Sequence, residues 1–298
     1  MATSSIEWTD KVWNPVRGCV KVSAGCKHCY AETFAERWRG VKGHAYEQGF
    51  DLRLAPHKLE EPVHWKEPRK VFVNSMSDLF QVGVPFEYID KVFTTMARAP
   101  RHTFQILTKR PDRMLAYMKR WLRDQDGVES PAGAVKPLAN VWLGVSVEDQ
   151  AAADIRIPLL LKTPAAVRWI SAEPLLGPLD LKPYAGCFDG NIGNPSFVRW
   201  LDWIVIGGES GHSARPFCID WADDILRQVR GAGIPVFMKQ FGRMPVTENI
   251  NRWDMDAESI AFMRGAAGAE YKLQDPKGGD MAEWPEEFRV REFPAAVL

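Results

Sequence analysis

Three cysteines, Cys19, Cys26 and Cys29, lie within eleven residues near the start of the chain, with six residues between the first two and two between the last two. Thiolates this close together repel each other, and binding a soft metal is the usual way in which proteins relieve that repulsion. The chain has five cysteines, and this odd number speaks against a disulfide framework. The other two, Cys187 and Cys218, are far apart and are expected to be small buried hydrophobic residues.

Two kinds of metal site fit three neighbouring cysteines. A structural zinc site needs four ligands, and His28 or His44 is the candidate for the fourth. Iron–sulfur clusters are normally held by four thiolates, so a set of three leaves one iron open to bind and activate another ligand. Gly18 and Gly25 allow tight turns around an inorganic core, and N–H groups at the start of a helix predicted over 30–39 would stabilise an anionic cluster. These features favour the cluster.

The rest of the chain alternates apolar, strand-like segments with amphipathic, helix-like segments. Seven strands are predicted, one within 7–15 and the others at 70–75, 102–107, 141–145, 167–170, 203–206 and 234–238. Helices are predicted over 85–99, 111–122, 151–161 and 221–229. Strands joined through helices pair in parallel by right-handed crossovers. The sequence therefore predicts an α/β fold, a partial or near-complete parallel (β/α) barrel, with the three-Cys loop at 13–32.

Small, polar or charged residues follow the predicted strands. In a parallel barrel the carboxyl ends of all strands lie on one rim, where active sites form. The residues singled out at this rim are Ser75, Ser77, Asp78, Lys109, Ser146, Glu148, Glu173, Gly207, Gly208 and Glu209. Glu173 directly follows an apolar strand, and a buried carboxylate needs a partner, which favours a functional role for it.

The composition is that of a globular protein with balanced charge. Lys and Arg together number 38, Asp and Glu together also number 38, and hydrophobic residues make up 46%. The zero net charge argues against a protein that only coats nucleic acid or an anionic membrane. No apolar run approaches the roughly 18 residues of a membrane span, and the first residues lack the pattern of a secretion signal. We therefore expect a soluble, cytoplasmic protein with no membrane partner.

From residue 247 onward the alternation of strands and helices fades. This segment has eleven acidic and six basic residues, which distinguishes it from the balanced chain as a whole. We predict a barrel domain over 1–246 and a C-terminal extension over 247–298 that packs on the barrel as a cap.

Five short segments are distinctive in combination. They are Gly-Cys-(x)6-Cys-Lys-His-Cys-Tyr-Ala-Glu at 18–32, Asn-Ser-Met-Ser-Asp-Leu-Phe at 74–80, Leu-Thr-Lys-Arg-Pro at 107–111, Ser-Ala-Glu-Pro-Leu-Leu-Gly-Pro at 171–178 and Gly-Gly-Glu-Ser-Gly at 207–211. Together they resemble the radical S-adenosylmethionine (radical SAM) superfamily. More narrowly, they resemble the phage and prophage three-Cys-motif family, which is of largely unknown function and distantly similar to spore photoproduct lyase.

The resemblance implies a radical SAM-type barrel in which Cys19, Cys26 and Cys29 hold a [4Fe–4S] cluster. Its open iron would bind S-adenosyl-L-methionine, whose reductive cleavage gives a 5′-deoxyadenosyl radical that abstracts hydrogen from substrate. An electron donor such as a flavodoxin or ferredoxin is then required. Three features differ from the common pattern of the superfamily. The cysteine spacing is six and two rather than three and two, and Gly-Gly-Glu follows the sixth strand rather than the second. The aromatic residue usual just before the last cysteine is also absent, with His28 in its place and Tyr30 just after the cysteine.

The resemblance also implies roles for the polar residues of the rim. Ser75, Ser77 and Asp78 are candidates to accept hydrogen bonds from the methionine ammonium group, and helix capping is the alternative for them. Glu209 and Lys109 are the candidate catalytic residues. Glu209 would face the substrate, and Lys109 lies at a strand end where it could bind a substrate phosphate.

Five further residues are candidates to bind the cofactor. Ser146 and Glu148 are placed for the ribose hydroxyls, which carboxylates bind well. Glu173 is a cofactor-binding candidate at the end of its strand. Gly207 and Gly208 would let the backbone approach the nucleoside, with a tight turn as the alternative.

A nucleotide or nucleic acid is the substrate class that we expect. Residues 98–123 carry eight Lys or Arg against one Asp and could meet phosphates, with a solvated helix face as the alternative. Trp8, Trp13 and Trp38 flank the cysteines and are the tryptophans considered for the site. Two other functions stay open: a zinc-stabilised, non-catalytic nucleic-acid-binding or adaptor protein, and an iron–sulfur protein that does not use S-adenosylmethionine.

Overall fold

The structure is a computed structural model that describes residues 6–125, 136–184, 201–248, 260–262 and 269–295. Its strands are β1 (Lys11–Trp13), β2 (Val16–Arg17), β3 (Arg53–Leu54), β4 (Lys70–Val73), β5 (Thr103–Thr108), β6 (Val141–Ser146), β7 (Val167–Ala172), β8 (Trp203–Gly207), β9 (Phe217–Cys218), β10 (Val236–Gln240), β11 (Pro245–Thr247), β12 (Ile260–Phe262) and β13 (Ala269–Tyr271). Its α-helices are α1 (Tyr30–Glu36), α2 (Phe86–Arg98), α3 (Pro111–Gln125), α4 (Gln150–Leu161) and α5 (Ile219–Arg230).

Seven of the strands form one sheet in the order β1-β4-β5-β6-β7-β8-β10. The described pairs of this sheet are parallel, with Val12 opposite Phe72 and Val71 opposite Phe104, for example. Helices α2 to α5 each lie in the sequence between strands of this sheet, because parallel neighbours need a long crossover connection. The prediction of an α/β fold with seven parallel strands is confirmed, and the sheet is compatible with a partial parallel barrel.

The chain divides into two compact units. The first comprises residues 1–145, 158–168 and 296–298, of which 6–125, 136–145 and 158–168 are described. The strand residues Val71, Val73 and Ile106 are fully buried in it, and α2 buries Phe93 and Met96 on one face. Strands that are buried on both sides consist of consecutive apolar residues, which is why β4 and β5 could be located from the sequence.

The second unit comprises residues 146–157 and 169–295. Its core includes Trp169 and Trp203, whose ring centroids are 5.2 Å apart, and a four-stranded sheet in the order β12-β13-β11-β9. Residues 290–292 run beside β10, where the Met238 N–H donates to the Val290 carbonyl (2.9 Å). The segment after residue 247 thus contributes strands to this unit. Its description as a separate cap over 247–298 stays a prediction.

Among the described residues, no helix combines the length and the apolar character that crossing a membrane requires. Cys218 is buried (2% exposed) directly before α5, in agreement with its expected role as a small core residue. The matching expectation for Cys187 lies outside the described residues.

Candidate functional site

The Cys loop, defined as residues 18–29, connects the end of β2 to the start of α1. Gly18 begins it in the left-handed region (φ 77°), where a Cβ would come within 2.2 Å of the Asp51 carbonyl oxygen. The Gly18 N–H donates to the Met76 carbonyl (3.0 Å), and the Gly18 carbonyl accepts from Ser77 Oγ (2.7 Å) and Gln81 Nε2 (3.1 Å). These bonds fix the start of the Cys loop to the segment that follows β4.

The first cysteine of the loop lies against a guanidinium group. Arg110 Nη1 donates to Cys19 Sγ (3.7 Å), and Arg110 Nη2 donates to the Val20 carbonyl (2.8 Å). Burial and the negative charge of Asp78 raise the pKa of the Cys19 thiol, while Arg110 acts in the opposite direction. The net shift is upward, so Cys19 without a metal is a protonated thiol at neutral pH.

The other two cysteines of the loop are also free thiols with intermediate exposure. Cys26 Sγ lies 4.0 Å from Ser23 Oγ, in the short turn before α1. Cys29 directly precedes α1 and packs against a small cluster of Ala31, Ala35 and Met76. All three thiols of the Cys loop are therefore partly accessible to solvent and uncrosslinked, as cysteines must be to take up a metal.

Asp78 is the centre of a buried hydrogen-bond network at the end of β4 and β5. Its carboxylate accepts from the Phe80 N–H (2.9 Å), Thr108 Oγ1 (2.7 Å), the Lys109 N–H (3.1 Å) and Arg110 Nη1 (2.7 Å). The side chains of Asp78 and Arg110 are only 8% and 11% exposed. Through Arg110 this network connects the end of β5 to the Cys loop.

The two serines predicted to bind the methionine ammonium group also hold the loop in place. Ser75 Oγ donates to Asn14 Oδ1 (3.2 Å), and Ser77 Oγ donates to the Gly18 carbonyl (2.7 Å). Tyr30 Oη, at the start of α1, donates to the Ser75 carbonyl (2.6 Å). Each serine hydroxyl keeps acceptor lone pairs, so both can still accept hydrogen bonds from a cationic group.

The histidines considered as a fourth zinc ligand differ in their surroundings. His44 stacks on Trp38 with ring centroids 4.1 Å apart, and its Nδ1 accepts from the Tyr46 N–H (3.2 Å). His28 is exposed within the Cys loop. In the part of the chain that the structure describes, no group of three or more His, Cys, Asp or Glu side chains is arranged to hold a metal ion.

The chemistry of the loop nevertheless fits a cluster held by thiolates. Cys19, Cys26 and Cys29 supply three thiols from one loop, and the Arg110 guanidinium beside Cys19 can offset part of the negative charge of a thiolate-bound cluster. Metal binding by the three cysteines stays a prediction.

Most cations of the basic stretch 98–123 have partners within the protein. Arg98 and Arg120 pair with Glu60 and Asp90, at 2.8 Å and 2.5 Å. Arg101 donates to three carbonyl groups, those of Pro62, Val63 and Trp65. The arginines that pair with carboxylates are therefore less available to phosphates, whereas the carbonyl partners of Arg101 leave its charge in place.

The tryptophans that flank the Cys loop do not share one environment. Trp8 is buried against Phe72, with ring centroids 4.7 Å apart. Trp13 is fully buried, and its Nε1 donates to the Lys58 carbonyl (2.7 Å). Trp38 is 36% exposed. Only Trp38 of these three presents a ring to solvent.

In the second unit, Glu148 and Arg156 form a buried ion pair. Arg156 Nη1 lies 2.7 Å from Glu148 Oε2. The side chain of Arg156 is 9% exposed and that of Glu148 is 2% exposed. The same nitrogen donates to the Ser146 carbonyl (2.7 Å), and the Glu148 carbonyl accepts from the Leu176 N–H (2.7 Å). The structure thus brings Ser146 and Glu148 together, and it gives the Glu148 carboxylate a partner from within the chain.

The other two predicted carboxylates of the second unit are paired as well. Glu173 Oε1 accepts from Lys239 Nζ, which lies on β10. Glu209 Oε2 accepts from the backbone N–H (2.9 Å) and Nε (3.1 Å) of Arg215. Both pairs are partly exposed, so a ligand could displace Lys239 or Arg215 from its carboxylate more easily than it could displace Arg156 from Glu148.

Gly207 and Gly208 permit close approaches inside the second unit. A Cβ on Gly208 would come within 2.2 Å of the Phe241 carbonyl oxygen, which explains the need for glycine there. A Cβ on Gly207 would lie 3.4 Å from the Glu173 side chain. The backbone accounts for Gly208 without a ligand, whereas a Cβ on Gly207 would be in van der Waals contact with Glu173. Cofactor binding by the five candidates of this unit stays a prediction.

The sequence matches the model of a protein family described as a protein of unknown function (DUF5131) over residues 3–275. The chain belongs to the DUF5131 family. The matched range contains the Cys loop and every residue that the sequence singles out for a site. No curated protein and no solved structure gave a significant match.

In this DUF5131 protein, each carboxylate predicted at the rim has a basic partner that the sequence did not assign to it. The partners are Arg110, Arg156, Lys239 and Arg215. Arg156 and Arg215 lie eight and six residues from their carboxylates, a local signal that a search for opposite charges could find. Lys239 is 66 residues from Glu173, so only the fold brings them together.

The buried thiol of Cys218 in this DUF5131 protein gives a first testable prediction. Burial raises the pKa of the Cys218 thiol to about 11, compared with an ordinary value of 9.0. At pH 8 this shift alone lowers the thiolate fraction about 100-fold, and only the thiolate reacts. We expect Cys218 to be alkylated by iodoacetamide at least about 100-fold more slowly in the folded protein than in urea. Peptide mass spectrometry over time measures the rate, and equal rates would contradict the burial of Cys218.

Proposed function

We propose that this DUF5131 protein is a radical SAM-type [4Fe–4S] enzyme in which Cys19, Cys26 and Cys29 hold the cluster. One observation carries the proposal. Three free, partly exposed thiols share a loop that is fixed beside the end of β4, with the Arg110 guanidinium on the first sulfur. When bound, such a cluster supplies the electron for reductive cleavage of S-adenosyl-L-methionine.

The residues around the loop have defined tasks in this proposal. Asp78 holds Arg110 in place, and Arg110 donates to Cys19 Sγ, which stabilises negative charge on that sulfur. Ser75 and Ser77 offer acceptor lone pairs close to the loop for the methionine ammonium group.

The substrate and electron donor are part of the same proposal. We propose a nucleotide or nucleic acid as substrate, and a flavodoxin or ferredoxin as the source of electrons. Lys109 and Glu209 are the candidates to contact the substrate. The backbone of Lys109 donates to Asp78 Oδ2 (3.1 Å), so its position is coupled to the network that holds Arg110.

Removal of one cysteine ligand tests the metal assignment. After anaerobic reconstitution with iron and sulfide, we expect about four iron and four sulfide per wild-type chain, and close to none for Cys26→Ala. Cys218→Ala is the matched control, because Cys218 is a buried cysteine outside the Cys loop, and it is expected to keep the wild-type iron content. Circular dichroism checks that both variants fold.

Three results would overturn parts of the proposal. Stoichiometric iron in Cys26→Ala would refute the ligand assignment. One zinc per chain in anaerobically purified protein, with no iron taken up, would support the zinc-stabilised adaptor. An iron-loaded protein that forms no 5′-deoxyadenosine from S-adenosylmethionine under a strong reductant would be an iron–sulfur protein of another kind.

A further inference from the structure

Helix α1 has its small residues buried and its large aromatic residues exposed. Ala31 and Ala35 are buried, at 3% and 0% exposed, and pack with Met76. Tyr30, Phe34 and Trp38 follow each other at intervals of four residues along the helix and the turn after it, and they are 60%, 43% and 36% exposed. A helix that only packs against a core has the opposite distribution, because burial favours the larger apolar side chains.

We name the three exposed rings the aromatic face (Tyr30, Phe34 and Trp38). The ring centroids of Phe34 and Trp38 are 6.4 Å apart, and Phe34 makes an edge contact with Tyr46 at 5.7 Å. Trp38 stacks on His44, so one side of its indole is supported. The first residue of the face directly follows the last cysteine of the Cys loop. The rings are thus held in place by neighbours and remain open to solvent.

Residues 21–51, which contain the aromatic face, carry five Lys or Arg against four Asp or Glu, a surplus of one cation. Glu32 pairs with Lys21 (2.7 Å), and Arg39 pairs with both Glu36 (2.6 Å) and Asp51 (3.0 Å). Lys21 therefore balances the charge of Glu32, whereas Arg39 is shared between two carboxylates.

Three exposed cations lie within four residues of the aromatic face in the sequence and have no carboxylate partner among the described residues: Lys27, Arg37 and Lys42. Lys27 lies in the Cys loop, Arg37 lies between Phe34 and Trp38, and Lys42 follows the turn after α1. In contrast to the basic stretch 98–123, whose arginines have internal partners, these side chains are available to a ligand.

We infer that the aromatic face binds single-stranded nucleic acid, with bases stacked on its rings and phosphates on Lys27, Arg37 and Lys42. Exposed aromatic rings interspersed with unpaired cations are the features with which proteins bind single strands without reading sequence. In a duplex the bases stack on each other, so their faces are not available to these rings. That single-stranded nucleic acid is the substrate of the enzyme rests on the proposed function. Binding of the single strand to the aromatic face requires no metal.

Fluorescence anisotropy with a labelled 15-nucleotide thymidine oligomer tests the inference on the full chain, both metal-free and reconstituted. We expect Phe34→Leu/Trp38→Leu to bind about 10-fold or more weakly, because leucine keeps apolar surface but cannot stack on a base. Val82→Ala is the control, since Val82 is an exposed apolar residue of the same unit that is not part of α1, and it should bind like the wild type.

The cations are tested by the salt dependence of the same binding. Lys27→Ala/Lys42→Ala is expected to reduce the slope of log K against log salt by about 1 to 2, because each phosphate contact contributes about 0.7 for single strands. Lys91→Ala/Lys119→Ala replaces two exposed lysines on α2 and α3 and should leave the slope unchanged.

Four outcomes separate this inference from its competitors. It is wrong if the wild-type chain does not bind the oligomer, or if the leucine variant binds as tightly as the wild type. It is equally wrong if the only effect of the leucine substitutions is the loss of a dimer in sedimentation velocity, because the face would then bind a second copy of the chain. It is also wrong if their only effect is slower reduction by flavodoxin, because the face would then bind the electron donor. A chain that binds the oligomer without taking up iron keeps this inference and refutes the proposed enzyme.

Discussion

Arg156→Met is expected to lower the free energy of unfolding by about 3–5 kcal/mol, because it leaves the Glu148 carboxylate buried without its partner. The two side chains are 9% and 2% exposed and are joined by contacts of 2.7 Å and 3.4 Å. Arg156 also donates to the Ser146 carbonyl, so the variant loses a third hydrogen bond, at the end of β6. Methionine keeps most of the length and apolar surface of the arginine side chain.

Urea denaturation measures this effect, and two further variants interpret it. Arg98→Met removes the ion pair between Arg98 and Glu60, whose side chains are both about half exposed. It should lower the free energy of unfolding by less than about 1 kcal/mol. Glu148→Leu/Arg156→Met removes both charges and should recover most of the lost stability, because no unpaired charge then remains buried.

The result also bears on what Glu148 can bind. If Arg156→Met costs less than about 1 kcal/mol, the Glu148 carboxylate does not depend on Arg156. It would then be available for the ribose hydroxyls, as the sequence predicts. A large loss that the double variant reverses would instead identify Glu148 as part of the scaffold at the end of β6.

The strands could be predicted from the sequence because their positions depend on local composition. β5 was predicted at 102–107 and occupies Thr103–Thr108, and β8 was predicted at 203–206 and occupies Trp203–Gly207. Buried parallel strands are short runs of apolar residues, and that signal needs no knowledge of the partner strands. Strands β11, β12 and β13 are only three residues long each, which is too short for this signal to separate them from loops.

The surroundings of the candidate site could be predicted only in part. The three cysteines and the polar residues after β4 were found because their types are rare and their spacing is close. The bond from Arg110 to Cys19 joins residues 91 positions apart, and the bond from Arg110 to Asp78 joins residues 32 apart. Such contacts depend on the order of strands in the sheet, which the sequence alone does not give.

The aromatic face shows a different limit of sequence reasoning. Tyr30, Phe34 and Trp38 have the spacing of a helix face that normally packs into a core. The residues between them include Ala31 and Ala35, whose small size lets α1 approach Met76 closely. Which of the two faces is buried depends on the space that the tertiary structure leaves for the helix, so periodicity alone favours the wrong one.

Asp78→Asn and Arg110→Met are expected to change the reactivity of Cys19 in opposite directions in the metal-free protein. Burial and the charge of Asp78 raise the pKa of Cys19, so removal of that charge lowers the pKa and increases the thiolate fraction near pH 7.5. Arg110 lowers the pKa, so its removal raises it further and decreases the thiolate fraction. We expect alkylation of Cys19 to be roughly 3- to 10-fold faster in the first variant and slower by a similar factor in the second.

The effect of Asp78→Asn on stability is a separate expectation from its effect on the reactivity of Cys19. Asp78→Asn replaces a carboxylate that accepts from four donors, and it should cost about 3 kcal/mol of unfolding free energy. Asp90→Asn is the matched control, because Asp90 also pairs with an arginine in the same unit but is 32% exposed, so its loss should cost about 1 kcal/mol.

Changes of opposite sign in the alkylation rate of Cys19 distinguish an electrostatic role of Arg110 from a purely structural one. Loosened packing exposes a thiol and accelerates its alkylation whichever partner is removed, so it would accelerate both Asp78→Asn and Arg110→Met. Time-resolved labelling with peptide mass spectrometry resolves Cys19 from Cys218, whose slow rate reports on global opening in each variant. Acceleration in both variants would mean that Arg110 only fills space beside the Cys loop, and its part in stabilising charge on Cys19 would have to be abandoned.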